Sequence, residues 1–574
     1  MTITVQERKW WKEAVVYQIY PASFCDSNGD LPSIISKLDY VASLGVNVIW
    51  VSPMYESPQV DMGYDILNYE EVYAPYGTVQ DMETLIKETH TRGMRIMLDL
   101  VINHTSDQHA WLKDWYIWRP VRYSPKGERL LPNNWRCSFG GGSAWEWDQH
   151  TEEYYLHVWA TEQPDLNWDN PETRNAIYAS AMEFWLDRGV DGFRVDTVNM
   201  YSKPSDMPDA PITDPKAPYQ PAATIYCNRP RVHEFLGEMN VILSRCDAIT
   251  VGELLYAPDT KCVLDYVSAS AARINMVFQF DAIDVCFGKT HKYDTTPKSF
   301  TLPDFKAGID RTQELIRDTD GWTTVFLENH DLLRSVTVFT DDRPQFCISG
   351  AKLLALLEAC LGGTQYIYQG QEIGLVNAPL ETYPIEDYRD ISSHLLVDMV
   401  KERYGVHNKK ELDKTFDALQ HLAGDHARLP IPWNGEAKYS GFSDVATKDM
   451  KEINVASQLN SPESVLAFWR QMIHFRQQYP DLLVYGNYKD LSPLDEDLFV
   501  FVKEASHGST KALVVLNFST TERIWELPSA IELGVSNEVA MVPIMSTHQG
   551  KVEKSLLAAL EGRVYLVQLQ GQHT

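Results

Sequence analysis

The sequence predicts an α/β protein built on a (β/α)8 barrel, with a subdomain inserted after the third strand and an antiparallel C-terminal β-domain. Three observations predict it. Eight short, apolar, β-branched runs alternate with longer helical patterns. The connection after the third run is far longer than an ordinary βα loop. From about Tyr485 the pattern changes to short strands with turn residues between them. The barrel is expected over 1–104 and 169–484, the inserted unit over 105–168, and a C-terminal β-sandwich over 485–574.

The eight runs are Val15–Pro21, Val46–Pro53, Met94–Ile102, Asp191–Asp196, Ala248–Leu254, Asn275–Asp281, Thr323–Asp331 and Thr364–Glu372. A helix starting near Leu31 places Ile34, Leu38 and Val41 on one face and ends at Gly45; another is bounded by Asp81 and Gly93. Each lies between consecutive runs. An open doubly wound sheet usually has fewer strands and a glycine-rich phosphate turn, which is absent here, so the closed barrel is the better match. The insert, Thr105 to about Trp168, is rich in Trp, Tyr, Gly and Pro. The stretch from Glu381 to Asn460 is polar and reads as an irregular, loop-rich excursion over the barrel mouth. Leu498–Ala505, Ala512–Ser519, Arg523–Leu527 and Arg563–Leu569 read as strands of the C-terminal domain.

A chain of 574 residues is too long for one core, and 44% hydrophobic with 23% charged residues is ordinary globular composition. The formal charge of -28 opposes binding to a phosphate backbone, whose affinity comes from Lys and Arg releasing counterions. Glu7, Arg8, Lys9 and Lys12 interrupt the first apolar residues, leaving no signal-peptide core, and no run of about twenty apolar residues could span a membrane. The expectation is a cytoplasmic protein with neither nucleic-acid nor membrane partners; the oligomeric state is left open. Eight scattered cysteines without a CxxC pair read as reduced thiols. Asn517-Phe518-Ser519 fits a glycosylation sequon but carries little weight without a secreted context.

In a parallel barrel the chemistry collects where strands end. The third run ends Asp99-Leu100-Val101-Ile102-Asn103-His104, the fourth Gly192-Phe193-Arg194-Val195-Asp196, the fifth Thr250-Val251-Gly252-Glu253, and the seventh Glu328-Asn329-His330-Asp331. Side chains alternate along a strand, so Arg194 and Asp196 point the same way, and the guanidinium keeps the carboxylate ionised, as suits a nucleophile. Glu253 ends an apolar strand, where desolvation and neighbouring carboxylates raise its pKa, as suits a general acid. Retaining glycoside hydrolysis uses such a pair about 5–5.5 Å apart. A single strand-end Asp is more often a helix cap or a structural ion pair, and lone histidines such as His104 and His330 are more often core residues; their clustering reverses those odds. Asp99, inside its strand, reads as a buried structural acid.

These four segments, in this order, resemble the four signature regions of the α-amylase family of glycoside hydrolases. Gln163-Pro164-Asp165-Leu166-Asn167 resembles a fifth motif, and Asp61-Met62-Gly63-Tyr64-Asp65-Ile66 resembles the first pocket loop. The resemblance covers essentially the whole chain and is greatest to the α-glucosidase and oligo-1,6-glucosidase branch. It implies that Asp196 is the nucleophile, Glu253 the acid/base, and Asp331 a third carboxylate that binds sugar hydroxyls and stabilises the distorted transition state. It implies equally that His104, Arg194 and His330 line the subsite of the glucose being cleaved, with Tyr64 as the platform beneath it. Asp61 and Arg428 look like the pair that grips the far side of a terminal glucose, closing the pocket to all but chain ends. Similar α-1,4-cleaving enzymes carry a small residue or Thr at position 197 and α-1,6-cleaving ones a Val, so Thr197 leans toward maltose-like substrates. In the insert, Phe139 is balanced between stacking on a sugar and packing, and Trp145 and Trp147 read as core.

The resemblance therefore implies a retaining, exo-acting α-glucosidase acting on maltose and short oligosaccharides, with transglucosylation open to the same intermediate. Alternatives within the family are an oligo-1,6-glucosidase, a sucrose isomerase, a trehalose-cleaving enzyme and a transglucosylase. A non-catalytic transporter partner subunit would show an N-terminal membrane helix and lost carboxylates, and neither is present. An NAD- or PLP-dependent barrel would need a dinucleotide fingerprint or a Schiff-base lysine setting, which are also lacking. Relatives often carry a calcium loop D-x-N-x-D-x-x-x-D, whereas Asp26-Ser27-Asn28-Gly29-Asp30 runs into Leu31-Pro32 and lacks the last ligand. Calcium takes about six to eight oxygens, so no cofactor or required metal is expected, and Asp26, Asn28 and Asp30 would hold the ion only weakly. Leu332-Leu333 replaces the polar pair that often follows the third carboxylate, so contacts beyond the cleaved bond do not carry over.

Overall fold

The computed structural model describes residues 6–568 apart from 26–28, 112, 141, 289–298, 380–382, 436–452, 507–509, 527, 529–540 and 549–554. All eight predicted runs form strands: β1 (Val15–Ile19), β2 (Val48–Val51), β3 (Arg95–Leu100), β4 (Gly192–Val195), β5 (Ile249–Glu253), β6 (Met276–Phe278), β7 (Thr324–Val325) and β8 (Thr364–Tyr368). They pair in parallel in the order β6-β5-β4-β3-β2-β1-β8-β7, and a parallel bridge between Val277 and Thr323 joins the two ends. Burial of both faces explains their near-continuous apolar character. β7 is shorter than its apolar run because the chain leaves the sheet after Val325, where Glu328 turns to accept bonds from Arg334 Nη1 (2.9 Å) and Ser335 Oγ (2.6 Å).

Helix α1 (Leu31–Ser43) buries Leu31, Ile34, Leu38 and Val41, as its spacing predicts. The loop proposed for calcium falls partly outside the described residues, at Asp26 and Asn28, while Asp30 caps α1 by accepting the Ser33 amide at 2.8 Å. In α2 (Val79–Thr91) the N-cap is Thr78, not Asp81; Asp81 is the third residue of a reciprocal capping box. The predicted irregular excursion contains two 14-residue helices, α3 (Ile391–Tyr404) and α4 (Lys409–Leu422). Leu396, Val397 and Val400 on α3 and Ala418, Leu419 and Leu422 on α4 are buried, so a narrow apolar stripe suffices despite the polar composition.

The insert holds a three-stranded antiparallel sheet of Trp118–Pro120, Glu153–Leu156 and Trp145–Asp148, plus a ribbon of Arg122–Tyr123 with Arg129–Leu130. Its core of Trp135, Trp145, Tyr154 and Leu156 is completed by Met200, Met207 and Tyr226 from the segment after β4. Trp145 is buried, donating its Nε1–H to Asn133 Oδ1 at 2.8 Å, and Trp147 meets Tyr154 edge to face at 5.1 Å. At the C-terminal end, β9 (Asn487–Asp490), β10 (Leu498–Glu504), β11 (Thr510–Asn517), β12 (Met541–Ser546) and β13 (Gly562–Gln568) form one antiparallel sheet in the order β9-β10-β11-β13-β12. In place of a second large sheet, the described residues show a ribbon of Arg523–Ile524 with Leu556–Leu557, whose neighbour Trp525 and Leu557 cover Val502, Leu513 and Val515. Asn517 is fully buried and donates to the carbonyls of Thr521 and Ala558, so the sequon is inaccessible in the fold. No described helix is long and apolar enough to cross a membrane.

Candidate active site

A cavity of about 530 Å³ opens at the C-terminal ends of the barrel strands. Asp61, Tyr64, His104, Phe139, Asp196, Thr197, Glu253, Asp331 and Arg428, all singled out from the sequence, lie on its wall. Arg194 and His330 are buried immediately behind it. A second cavity of about 540 Å³ lies beside the inserted sheet, and the hydroxyl of Tyr201 on its wall donates to the Asp196 carbonyl at 2.7 Å. Only the first gathers three or more carboxylates at strand ends.

β4 and β5 run in register, Arg194 beside Val251 and Val195 beside Gly252, so the residues that follow, Asp196 and Glu253, emerge side by side. Arg194 is the hub. Its Nη1 donates to Asp99 Oδ1 (2.8 Å) and Asp196 Oδ1 (2.6 Å), and its Nη2 lies 2.9 Å from Glu253 Oε2. Asp99, also bonded by Trp50 Nε1 at 2.7 Å, has the buried structural setting expected of it. Burial raises the Asp196 pKa, with Arg194 pulling it back; the guanidinium alone does not decide the direction. Burial pushes Glu253 up to about 7; Arg194 opposes this, and the negative charges of Asp196 and Asp331 reinforce it. The group placed to hold a proton near neutrality is therefore Glu253.

Thr197 turns the chain through φ 39°, a left-handed conformation that a β-branched residue normally avoids. The turn brings its amide to Glu253 Oε2 (3.2 Å) and its Oγ1 to Asp196 Oδ2 (3.4 Å). Strain at such a point persists only where the surroundings hold it, here the two acids of the site.

On the opposite wall, Asp331 receives Arg428 Nη2 at 2.6 Å and lies 3.0 Å from His330 Nε2. Arg428 also donates Nε to the His330 carbonyl (2.9 Å) and pairs through Nη1 with Asp390 Oδ2 at 3.0 Å. Asp61 and Arg428, expected to grip the far side of a terminal glucose, both lie on the cavity wall; Asp61 Oδ2 accepts Gln163 Nε2 at 2.8 Å, and burial raises its pKa well above the usual carboxylate range. The turn bearing Arg428 approaches Asp331 only because Gly424 lacks a side chain; a Cβ there would sit 2.9 Å from the Asp331 carbonyl oxygen. His104 is buried, pushed down to about 4 by desolvation and hence neutral, with Nε2 3.1 Å from the Tyr64 carbonyl and 3.2 Å from Gln163 Nε2. The Tyr64 ring stacks on His330 at 5.1 Å and 6°, and its buried hydroxyl has no hydrogen-bond partner among the described residues, leaving it for a ligand. Phe139 reaches the wall against Trp159, at 5.1 Å.

Gln163, Trp159 and Asp390 were not singled out as site residues. Gln163 sits in a motif-like segment and was within reach; Asp390 caps α3 and meets Arg428 only through the tertiary fold, which no local pattern announces.

A parallel barrel whose acidic strand ends meet in one pocket, two of them on Arg194 and the third on Arg428, has the site of a glycoside hydrolase. The pattern described as alpha amylase, catalytic domain, matches residues 18–486, and the chain belongs to that family. It is 45% identical to an alpha-glucosidase of Candida albicans over 98% of this chain and 100% of the relative, and 42% identical to an oligo-1,6-glucosidase of Saccharomyces cerevisiae over 99% and 100%. Among solved structures, an isomaltulose synthase of Erwinia rhapontici in complex with sucrose superposes with a TM-score of 0.88 at 34% identity, covering 98% of this chain and 99% of that one.

Proposed function

We propose that the protein is a retaining, exo-acting α-glucosidase that releases glucose from the non-reducing ends of maltose and short α-1,4-linked oligosaccharides. The observation that carries this is the shared Arg194 hub, with Glu253 at about 7 beside a deeply buried Asp196. Asp196 attacks the anomeric carbon while Glu253 gives its proton to the departing oxygen; the glycosidic C–O bond breaks and a glucosyl ester forms. Water then bonds to the anomeric carbon, its proton passes to Glu253, and the ester bond to Asp196 breaks. Asp331, held by Arg428, faces the sugar hydroxyls, and the wall of Asp61, Arg428 and Asp390, with Gln163 buried behind Asp61, supports a blind pocket for a terminal residue. Thr197 beside both acids supports the α-1,4 preference; Thr197→Val is expected to lower the maltose-to-isomaltose ratio of kcat/KM by about tenfold, the scale of one side-chain group in a pocket. Buried thiols at Cys137, Cys227 and Cys360 support a reducing, cytoplasmic setting.

The test incubates wild type and Asp196→Asn with maltose, isomaltose, sucrose and trehalose, following glucose, its anomeric form and any new saccharides. Release of α-glucose from maltose, abolished in the variant, is the expected result. Isomerised or elongated products would move the assignment to the transferase side of the family, and an unaffected variant would remove Asp196 as nucleophile.

A further inference from the structure

The backbone of Asp196 is held as firmly as its carboxyl. Tyr201, five residues further on, is buried and donates its hydroxyl to the Asp196 carbonyl at 2.7 Å. Its ring stacks on Trp168 at 4.7 Å and 8°, and Trp168 is fixed in turn by an Nε1 bond to the Ile102 carbonyl at 2.8 Å. Tyr201 lines the second cavity and not the active-site cavity, so it stands behind the acids rather than against a substrate. Burial lifts its pKa well above the ordinary phenol value, and the hydroxyl stays a donor throughout the working range of pH.

The bond acts on the peptide group between Asp196 and Thr197. A trans peptide points its oxygen and its N–H in opposite directions. Here the oxygen takes the Tyr201 hydroxyl and the N–H lies 3.2 Å from Glu253 Oε2, so one peptide is clamped between a buried phenol and the proposed acid/base. A donor on a peptide oxygen polarises the group and strengthens its N–H as a donor. The Val198 amide adds a second tie, to the Glu253 carbonyl at 3.1 Å. Between these ties lies the left-handed turn at Thr197, φ 39°, a conformation that needs such outside support.

We propose that Tyr201 is a positioning residue for both acids, acting through the peptide that joins Asp196 to Thr197. Its hydroxyl fixes the turn, and with it the place of the nucleophile and the grip of the Thr197 amide on Glu253. The inference rests on the glucosidase reading and deepens it. The amide favours the ionised form of Glu253, so weakening that bond raises the Glu253 pKa. The charged and titratable groups facing Glu253 are Arg194 and Asp196 at the end of β4, Asp331 beyond β7, and Tyr256 on its own segment. Tyr201→Phe leaves all four in place and removes only a neutral hydroxyl, so a shift is carried by the peptide.

The experiment compares wild type with Tyr201→Phe, which keeps the stacked ring. It measures Tm, the pH profiles of kcat and KM on maltose, and the titration of the Glu253 carboxyl by carbon NMR without substrate, assigned with Glu253→Gln. The expected result is that the alkaline limb of kcat/KM and the carboxyl titration both move upward by about 0.5–1 pH unit, the size of one hydrogen bond. With them, kcat falls about tenfold while KM stays within about twofold, because the loss falls on the reacting geometry and not on substrate binding. A lower Tm or kcat with the limb and the titration unmoved would make Tyr201 a packing residue and overturn the proposal. A wild type inert toward maltose would overturn the glucosidase reading; the carboxyl titration, which needs no turnover, would still support or overturn the tie between Tyr201 and Glu253.

Discussion

Replacing Lys203 by Met tests how the inserted segment is fastened to the barrel. The ammonium is buried, and its three protons are all engaged: Asp165 Oδ1 at 2.6 Å, Asn103 Oδ1 at 2.7 Å and the Met200 carbonyl at 2.6 Å. Asp165 belongs to the insert, Asn103 follows β3 and Met200 follows β4, so one charge joins three segments. Methionine keeps most of the length and removes the cation. Asp165, fully buried, then retains only the Asn103 Nδ2 (2.9 Å) and Val158 amide (2.6 Å) bonds and becomes an uncompensated charge. Breaking a buried pair in this way costs about 3–5 kcal/mol, whereas removing both charges costs much less. Because a chain with several packed units need not unfold in one step, the assay is amide hydrogen exchange across 153–166, where local opening should rise by roughly two to three orders of magnitude. Adding Asp165→Asn should restore protection by at least about 2 kcal/mol of coupling. A double variant that merely sums the single losses would refute the argument, because the ammonium would then be a spectator. kcat/KM should fall in parallel, since Gln163 and His104 of the site are chain neighbours of the Asp165 and Asn103 that Lys203 joins.

Two further outcomes follow from the charges of the site. Glu253 is competent when protonated and its pKa is raised to about 7, so kcat/KM should hold below that pH and fall as pH rises through it; Asp331→Asn removes a negative charge that raises Glu253 and should move the limb to lower pH. Glu253→Gln should lower maltose turnover by about 10²–10⁴ and abolish the limb, and a limb that survives would assign it to another group. Arg428→Met should cost at least about 2 kcal/mol, or thirtyfold in kcat/KM on maltose, by removing the cation that Asp331 and Asp390 share. Arg428→Lys should not fully rescue it, because three separate guanidinium nitrogens are used; full rescue would show that charge alone matters.

The barrel was legible because each strand is buried on both faces and so reads as an apolar run, and the acids stood out because they end those runs. Legibility failed where structure depends on distant partners. The short β7 follows from Glu328 turning toward Arg334 and Ser335, and the insert's core borrows Met200, Met207 and Tyr226 from beyond β4. The spacing of Leu396, Val397 and Val400 did carry the signal of α3, but the polar residues around it masked the stripe. The protein partners of Asp61 and Arg428 were hidden for a related reason. A resemblance places two residues in one pocket without saying how Gln163 and Asp390 divide them between other partners.

The balance of charge in the pocket explains why so many acids are kept in so dry a place. Arg194 serves Asp99, Asp196 and Glu253, and Arg428 serves Asp331 and Asp390. With Glu253 carrying its proton, the Arg194 cluster still holds one more negative charge than positive. A neutral sugar in its ground state gains little from that excess. On the proposed mechanism, as the glycosidic bond lengthens, positive charge develops on the sugar ring beside Asp196 and the cluster becomes neutral as a whole. In a water-excluded site this compensation is much stronger than in bulk solvent, and it acts on the transition state more than on the bound substrate, which is the condition for raising kcat. Asp99, out of reach of the sugar and bonded only from within, then has a part in the chemistry. By sharing Arg194 it prevents the guanidinium from neutralising the side of the pocket that holds the proposed nucleophile before the reaction begins.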